Sequence, residues 1–254
     1  MKTRAAINPW GLITMLNWQD TGIILDKAKF GESDLILDVF TREHGRAKGL
    51  VRHGQTAKNS GTYGQGNLVA VTWKARLEEH LGNFTAELVK SYSAPVLDNA
   101  TLLDCLSATL AETKGAFAER DANPSVFTKL QDLLSKLTDK DGLSYFIIWE
   151  IDLLKALGFA LNLTECAVTG TKDDLAFVSP KTGRAVSKSA AGKWESLLLP
   201  LPSFLTTARP AESAEEIVKA MTLTGYFLQK HIFPSSLPAA RIRLKERLER
   251  SIIT

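Results

Sequence analysis

The hydrophobic rhythm of the chain changes once. From Trp18 to Tyr92 apolar positions alternate with polar ones in five short segments, and beyond Ser93 they recur at about the 3.6-residue spacing of a helix. The alternating segments are Trp18–Asp26, Asp34–Thr41, Gly45–Arg52, Asn67–Leu77 and Gly82–Tyr92. They are rich in β-branched and aromatic residues and are separated by turn-forming stretches such as Gly31-Glu32-Ser33 and Arg42-Glu43-His44-Gly45. Five such strands predict a small β-barrel.

Successive side chains on a strand point to opposite faces, so the alternation sorts them. In the fourth segment Val69, Val71, Trp73, Ala75 and Leu77 are expected inside, with Ala70, Thr72, Lys74 and Arg76 outside. In the third, Ala47, Gly49 and Val51 face in and Arg46, Lys48 and Arg52 face out.

In the second half Leu103, Leu106, Leu110 and Phe117 form one helical stripe. Asn123-Pro124 opens a second helix, with Val126, Phe127, Leu130, Leu133, Leu134 and Leu137 on one side. A third, Leu143–Leu157, is apolar around most of its circumference and is stopped by Gly158, which makes it the expected centre of a helical domain. Ser213 and Glu216 have the spacing of a capping box for a later helix that carries Ile217, Met221 and Leu228. The tail holds Arg241, Arg243, Lys245, Arg247 and Arg250 against Glu246 and Glu249, or 5 − 2 = +3. It reads as a solvated helix face, with an auxiliary DNA contact as the alternative.

Composition adds bounds. At 254 residues, 44% hydrophobic and 23% charged, the chain is an ordinary globular one with room for two domains. Two cysteines, Cys105 and Cys166, make no disulfide framework, so a reducing cytoplasm is expected. Asn8-Pro9 interrupts the signal-like start of the chain, and residues 1–14 read as a disordered extension or an artefact of an upstream start codon. The apolar run Tyr145–Trp149 meets Glu150 and Asp152 at once, far short of the roughly 20 residues that a membrane span needs.

Charge changes the picture more. Between Arg42 and Arg76 stand Arg42, Arg46, Lys48, Arg52, Lys58, Lys74 and Arg76 against Glu43, or 7 − 1 = +6, on a chain whose whole net charge is only +3. Such a field attracts polyanions. The Gly-rich loop Gly54–Gly66 can drape over a flexible strand, and Tyr63 within it is expected to be exposed and to stack on bases. A merely solvated basic sheet face is the alternative. Catalytic motifs are missing: the chain has no Walker loop, no Gly-x-Ser-x-Gly and no His-Glu-x-x-His, and Glu78-Glu79-His80 reads as a turn. A non-enzyme is expected.

The succession Gly22-Ile-Ile-Leu, Gly31-Glu-Ser-Asp34, Phe40-Thr-Arg-Glu-His-Gly45, Gly49-Leu-Val-Arg52 and Leu77-Glu-Glu-His-Leu-Gly82 resembles the N-terminal domain of the RecO family, recombination mediators of the bacterial RecF pathway. The likeness continues through Leu157-Gly-Phe159, Cys166-Ala-Val-Thr-Gly170, Val178–Arg184 and Leu199–Phe204, and so covers nearly everything from Met15 onward. It implies an α+β chain: an OB-fold barrel over 15–93 and a helical domain over 94–254 with a finger-like insertion at 164–192. It further implies binding of single-stranded and double-stranded DNA, annealing of complementary strands without ATP, and loading of RecA, an indirect partner, on DNA coated by single-strand binding protein. RecR and the single-strand binding protein are the implied direct partners, in a cytoplasmic, nucleoid-associated setting without a membrane. The alternative is an adaptor that docks RecR or another protein and whose DNA affinity is incidental.

Many proteins of this resemblance carry a four-cysteine zinc finger in the insertion. Here Cys166 stands at the first ligand position, but Thr169, Ser187 and Ala190 occupy the other three. Neutral Ser, Thr or Ala does not replace a thiolate, so no metal and no cofactor are expected. Leu175, Phe177 and Val186 are expected to hold the hairpin, with Cys166 an ordinary buried thiol.

Overall fold

The structure is a computed structural model that describes residues 16–56, 59, 61–77, 80–207 and 209–253. The expected extension at residues 1–14 lies outside the described residues. Two compact units emerge: the chain up to Leu97 together with Phe117–Thr128, and Asp98–Ala116 together with the chain from Lys129 onward.

The first unit is built on strands β1 (Leu16–Phe30), β2 (Asp34–Thr41), β3 (Gly45–Val51), β4 (Leu68–Ala75) and β5 (Asn83–Lys90). They close into a barrel of order β1-β2-β3-β5-β4, the OB arrangement. β1 is long enough to serve two partners. Its first half pairs with β4 (Leu16 opposite Ala75) and its second with β2 (Phe30 opposite Asp34), with a bulge between Ile24 and Asp26. β3 and β5 meet in parallel at Leu50 and Asn83.

The alternation works as the period of two demands. Ile24, Leu37, Val39, Val51, Val69, Val71, Trp73, Ala75 and Phe84 fill the interior, while Ala70 and Lys74 face solvent. Two expectations need correction. Leu77 is 41% exposed, because β4 ends at Ala75 and the parity stops with the strand. Tyr63 is 7% exposed and belongs to the barrel core. Its loop folds inward because Asn67 Nδ2 donates to the carbonyls of Gly61 (2.7 Å) and Thr62 (3.1 Å), and Gly66 N donates to Ile24 O (2.8 Å). Burial pushes the Tyr63 phenol up.

β2 is buried on both faces toward its end, where Phe40 is fully covered. Phe117 and Phe127 supply the cover, with ring centroids 5.2 and 6.3 Å from that of Phe40. The same segment runs along β3: Arg120 N donates to Arg46 O at 2.8 Å. At Gly45 (φ +67°) a Cβ would stand 2.4 Å from Asp121 O, so this turn needs glycine on both counts.

The second unit holds α1 (Ala100–Ala116), the later turns of α2 (Pro124–Lys136), α3 (Gly142–Ala156), α5 (Ala214–His231) and α6 (Ala239–Ile253). Asn99 Oδ1 caps α1 by accepting from Thr101 N and Leu102 N, both at 3.1 Å. Ser213 Oγ accepts from Glu216 N at 3.3 Å. The Glu216 carboxylate accepts from Glu212 N at 2.8 Å, so the box closes one residue early. α3 is buried at Phe146, Ile147, Trp149, Leu153 and Leu154. In α1 Leu106 and Leu110 of the expected stripe are buried, joined by Cys105 and Ala108, while Leu103 is 36% exposed. A small sheet of order β7 (Ala185–Ser187), β6 (Leu175–Val178), β8 (Leu199–Pro200) follows α3, with the single-turn helix α4 (Lys188–Ala191) after β7. No helix among the described residues is long and apolar enough to cross a membrane.

Candidate nucleic-acid interface

The cations expected on the outer barrel surface do not share one environment. Arg46 is half-buried: its Nε donates to Asp38 Oδ1 and Oδ2 at 2.9 and 3.1 Å, and its Nη1 donates to Phe117 O at 3.0 Å. A guanidinium with a bidentate acid and a backbone acceptor is held in place by the fold. Lys48 Nζ lies 2.6 Å from Glu119 Oε1. That ammonium, against the opposing effect of burial, holds the Glu119 carboxyl below its ordinary range.

Arg42 is exposed at the β2–β3 turn, with its guanidinium 5.8 Å above the Phe127 ring. Arg52 has a side chain 73% exposed, and its Nη1 is 3.8 Å from Asp34 Oδ2, a separation at which solvent weakens the pair. Lys74 on β4 and Arg76 just beyond it are exposed, and neither pairs with an acid among the described residues. Lys58 lies outside the described residues. The ladder therefore leaves Arg42, Arg52, Lys74 and Arg76 facing water, while Asp38 and Glu119 engage Arg46 and Lys48.

Hydrogen bonds hold the described residues at the start of the loop after β3. His53 N donates to Asp34 Oδ1 (2.8 Å), Gln55 Nε2 to Asp34 O (2.8 Å) and Asn59 Nδ2 to His53 O (3.1 Å). The His53 amide, chiefly, with Ser33 and Arg52 assisting against burial, depresses the Asp34 carboxyl.

One aromatic surface escaped the sequence reading. The His44 ring stacks on Trp18 with centroids 4.3 Å apart and planes 7° apart, and Trp18 in turn stacks on Trp73 at 5.5 Å. Asp20 Oδ2 fixes the turn by accepting from Glu43 N (2.8 Å) and His44 N (3.2 Å), and it lies 3.0 Å from His44 Nδ1. The side chain of His44 remains 38% exposed, so the stack ends in a flat ring at the surface. The Trp18–Trp73 pairing follows from strand register; the arrival of His44 depends on Asp20, which no local pattern announces.

In the finger-like hairpin Cys166 is buried, but it is not the ordinary thiol expected. Ser187 N and Oγ lie 3.3 and 3.5 Å from its sulfur. Burial pushes this thiol up, yet the hydrogen bonds from Ser187 and Thr169 outweigh it and bring Cys166 down to about 6. The Ser187 and Thr169 hydroxyls thus donate to the sulfur. Val186 and Ala191, with Leu175, Phe177 and Leu198, pack around it. Among the described residues no three His, Cys, Asp or Glu side chains converge in a way that could hold a metal ion.

Comparison with known proteins matches residues 15–92 to the family described as "Recombination protein O N terminal" and residues 103–240 to "Recombination protein O C terminal". The chain is 42% identical over 241 residues to a DNA repair protein RecO of Cereibacter sphaeroides, covering 93% of this chain and all of that one. It is 39% identical over 242 residues to one from Jannaschia sp. (94% and 98% covered) and 40% identical over 231 residues to one from Rhizobium rhizogenes (90% and 89%).

Proposed function

Because the chain belongs to the RecO family of DNA repair proteins, we propose that it binds single-stranded DNA on its barrel, anneals complementary strands and helps load RecA onto DNA coated by single-strand binding protein. The observation that carries the reading is the closed five-stranded barrel with Arg42, Arg52, Lys74 and Arg76 turned to solvent. Cations on a strand and at strand ends neutralise phosphates and release counterions without fixing base identity. Two backbones neutralised on one surface lose the repulsion that keeps complementary strands apart. The flat His44 ring, backed by Trp18, takes the stacking role expected of Tyr63. No nucleotide is consumed in this scheme, and RecR and the single-strand binding protein act as protein partners in the bacterial cytoplasm.

One observation favours the adaptor reading. Asp38 and Glu119 already engage Arg46 and Lys48, which withdraws two cations from phosphate. Titrating a labelled oligonucleotide at several salt concentrations separates the two. Each phosphate contact with a single strand adds about 0.7 to the slope of log affinity against log salt, so Lys74→Ala with Arg76→Ala lowers it by up to about 1.4. An unchanged slope and affinity in the folded double variant supports the adaptor.

A further inference from the structure

Four helices of the second unit converge on one guanidinium. Glu112 comes from α1, Glu150 from α3, Thr224 from α5 and Arg241 from α6, and none is more than 1% exposed. This corrects the expectation that the basic tail is wholly a solvated face: Arg241, its first basic residue, is among the most buried side chains of the protein. Arg241 Nε donates to Glu150 Oε1 at 2.6 Å, and Nη2 donates to Met221 O at 2.7 Å, Thr224 Oγ1 at 3.1 Å and Glu150 Oε2 at 3.3 Å. The Thr224 hydroxyl also contacts Glu150 Oε2. A Cβ at Gly225 would stand 2.9 Å from Arg241 Nη1, so α5 has a glycine where the guanidinium lies on it.

Glu112 is the member left over. Its Oε1 is 3.3 Å from Arg241 Nε, but that N–H is aimed at Glu150, and the Glu150 carboxyl and the Trp149 indole lie beside the Glu112 carboxyl without reaching hydrogen-bond geometry. With both acids ionised the cluster would carry −2 + 1 = −1 among fully buried side chains. An uncompensated buried charge of that kind is unfavourable and is relieved by taking up a proton.

We propose that Glu112 carries a proton in the folded protein, making a neutral clasp through which Arg241 docks α6, and that losing this proton loosens the clasp. The groups facing Glu112 bear this out from each side. Burial, then repulsion by Glu150, raises its proton affinity well above that of an ordinary carboxyl, against the pull of Arg241. On α1 itself Cys105 stays a neutral thiol, pushed up by burial and by both glutamates. From α5 the Thr224 hydroxyl and the Met221 carbonyl meet Arg241, and on α3 the Trp149 indole pulls the Glu112 carboxyl the other way without outweighing burial. Arg241 also borders a groove of about 390 Å³ with Leu199, Tyr226, Leu237, Ile242 and Lys245.

The sign follows from linkage. A carboxyl that binds its proton more tightly when folded adds stability that is complete below the ordinary carboxylate range and drains away as pH climbs toward the folded value. Melting of the full-length chain from pH 5 to pH 10 tests this on wild type, Glu112→Gln and Glu150→Gln. Glu112→Gln copies the protonated acid, so it melts within a few degrees of wild type near neutrality and above it in alkali. Glu150→Gln strips Arg241 of its anion and melts far lower throughout. The infrared spectrum of wild type at pH 7 shows the carbonyl stretch of a dry protonated carboxyl that Glu112→Gln lacks. The proposal is overturned if Glu112→Gln is as damaging as Glu150→Gln, or if its offset from wild type is the same at every pH. A missing infrared band in a folded wild type overturns it as well.

Discussion

At the scale of the residue, the pairs that matter are those in which one side chain changes the chemistry of another. Ser187 and Thr169 stand beside the buried Cys166 and spend their hydroxyls on its sulfur. The expected result is a single thiolate near neutrality. Absorbance of the folded chain in the far ultraviolet should titrate at about 6 for Cys166, while Cys105, pushed well up by burial, stays silent. Ser187→Ala moves that titration upward. Because the folded value lies below the ordinary thiol's, Cys166 stabilises the fold above the unfolded value of about 9, and that contribution is lost as pH falls through about 6. The melting-temperature gap between wild type and Ser187→Ala should therefore close in acid. A titration unmoved by the substitution would remove the hydroxyls from the account.

At the scale of the element, β3 shows how a strand can be read correctly and its surface still be misjudged. The outward parity of Arg46, Lys48 and Arg52 was legible because a slip of one residue would have put charges in the barrel. What those side chains meet was not, because Asp38 lies on a neighbouring strand and Glu119 follows a helix 17 residues long. Apolar spacing says that Phe117 and Phe127 are buried without saying against what, and the answer is Phe40. Arg241 hid for a related reason: a charge run reads as exposed, and the clue, Glu150 inside an apolar helix, lies 91 residues away. Since Glu119 holds Lys48, Glu119→Gln frees that ammonium for phosphate. Single-strand affinity should rise, with the salt slope steeper by up to about 0.7. Equal or weaker binding would mean that Lys48 points away from the path of the strand.

For the whole molecule, a net charge of only +3 means that attraction to DNA is local, and mixing complementary oligonucleotides with the purified chain is the direct trial. Pairing should proceed in buffer without ATP or magnesium and fade as salt rises; a strict nucleotide requirement would contradict a role that rests on neutralised phosphates. The division of the chain has a further consequence, in time. Because Phe117–Thr128 belongs with the barrel, the ribosome finishes the barrel's last strand at Lys90 and then makes 128 − 90 = 38 more residues before the cover for Phe40 is complete. At about 5–20 residues per second that is roughly 2–8 s in which a finished sheet shows an apolar face to the cell. Nascent chains arrested at successive lengths should gain protease resistance in the barrel only once Thr128 has left the exit tunnel. During that interval the unfinished protein is a client for chaperones, and slow codons between Asp98 and Thr128 would lengthen its exposure.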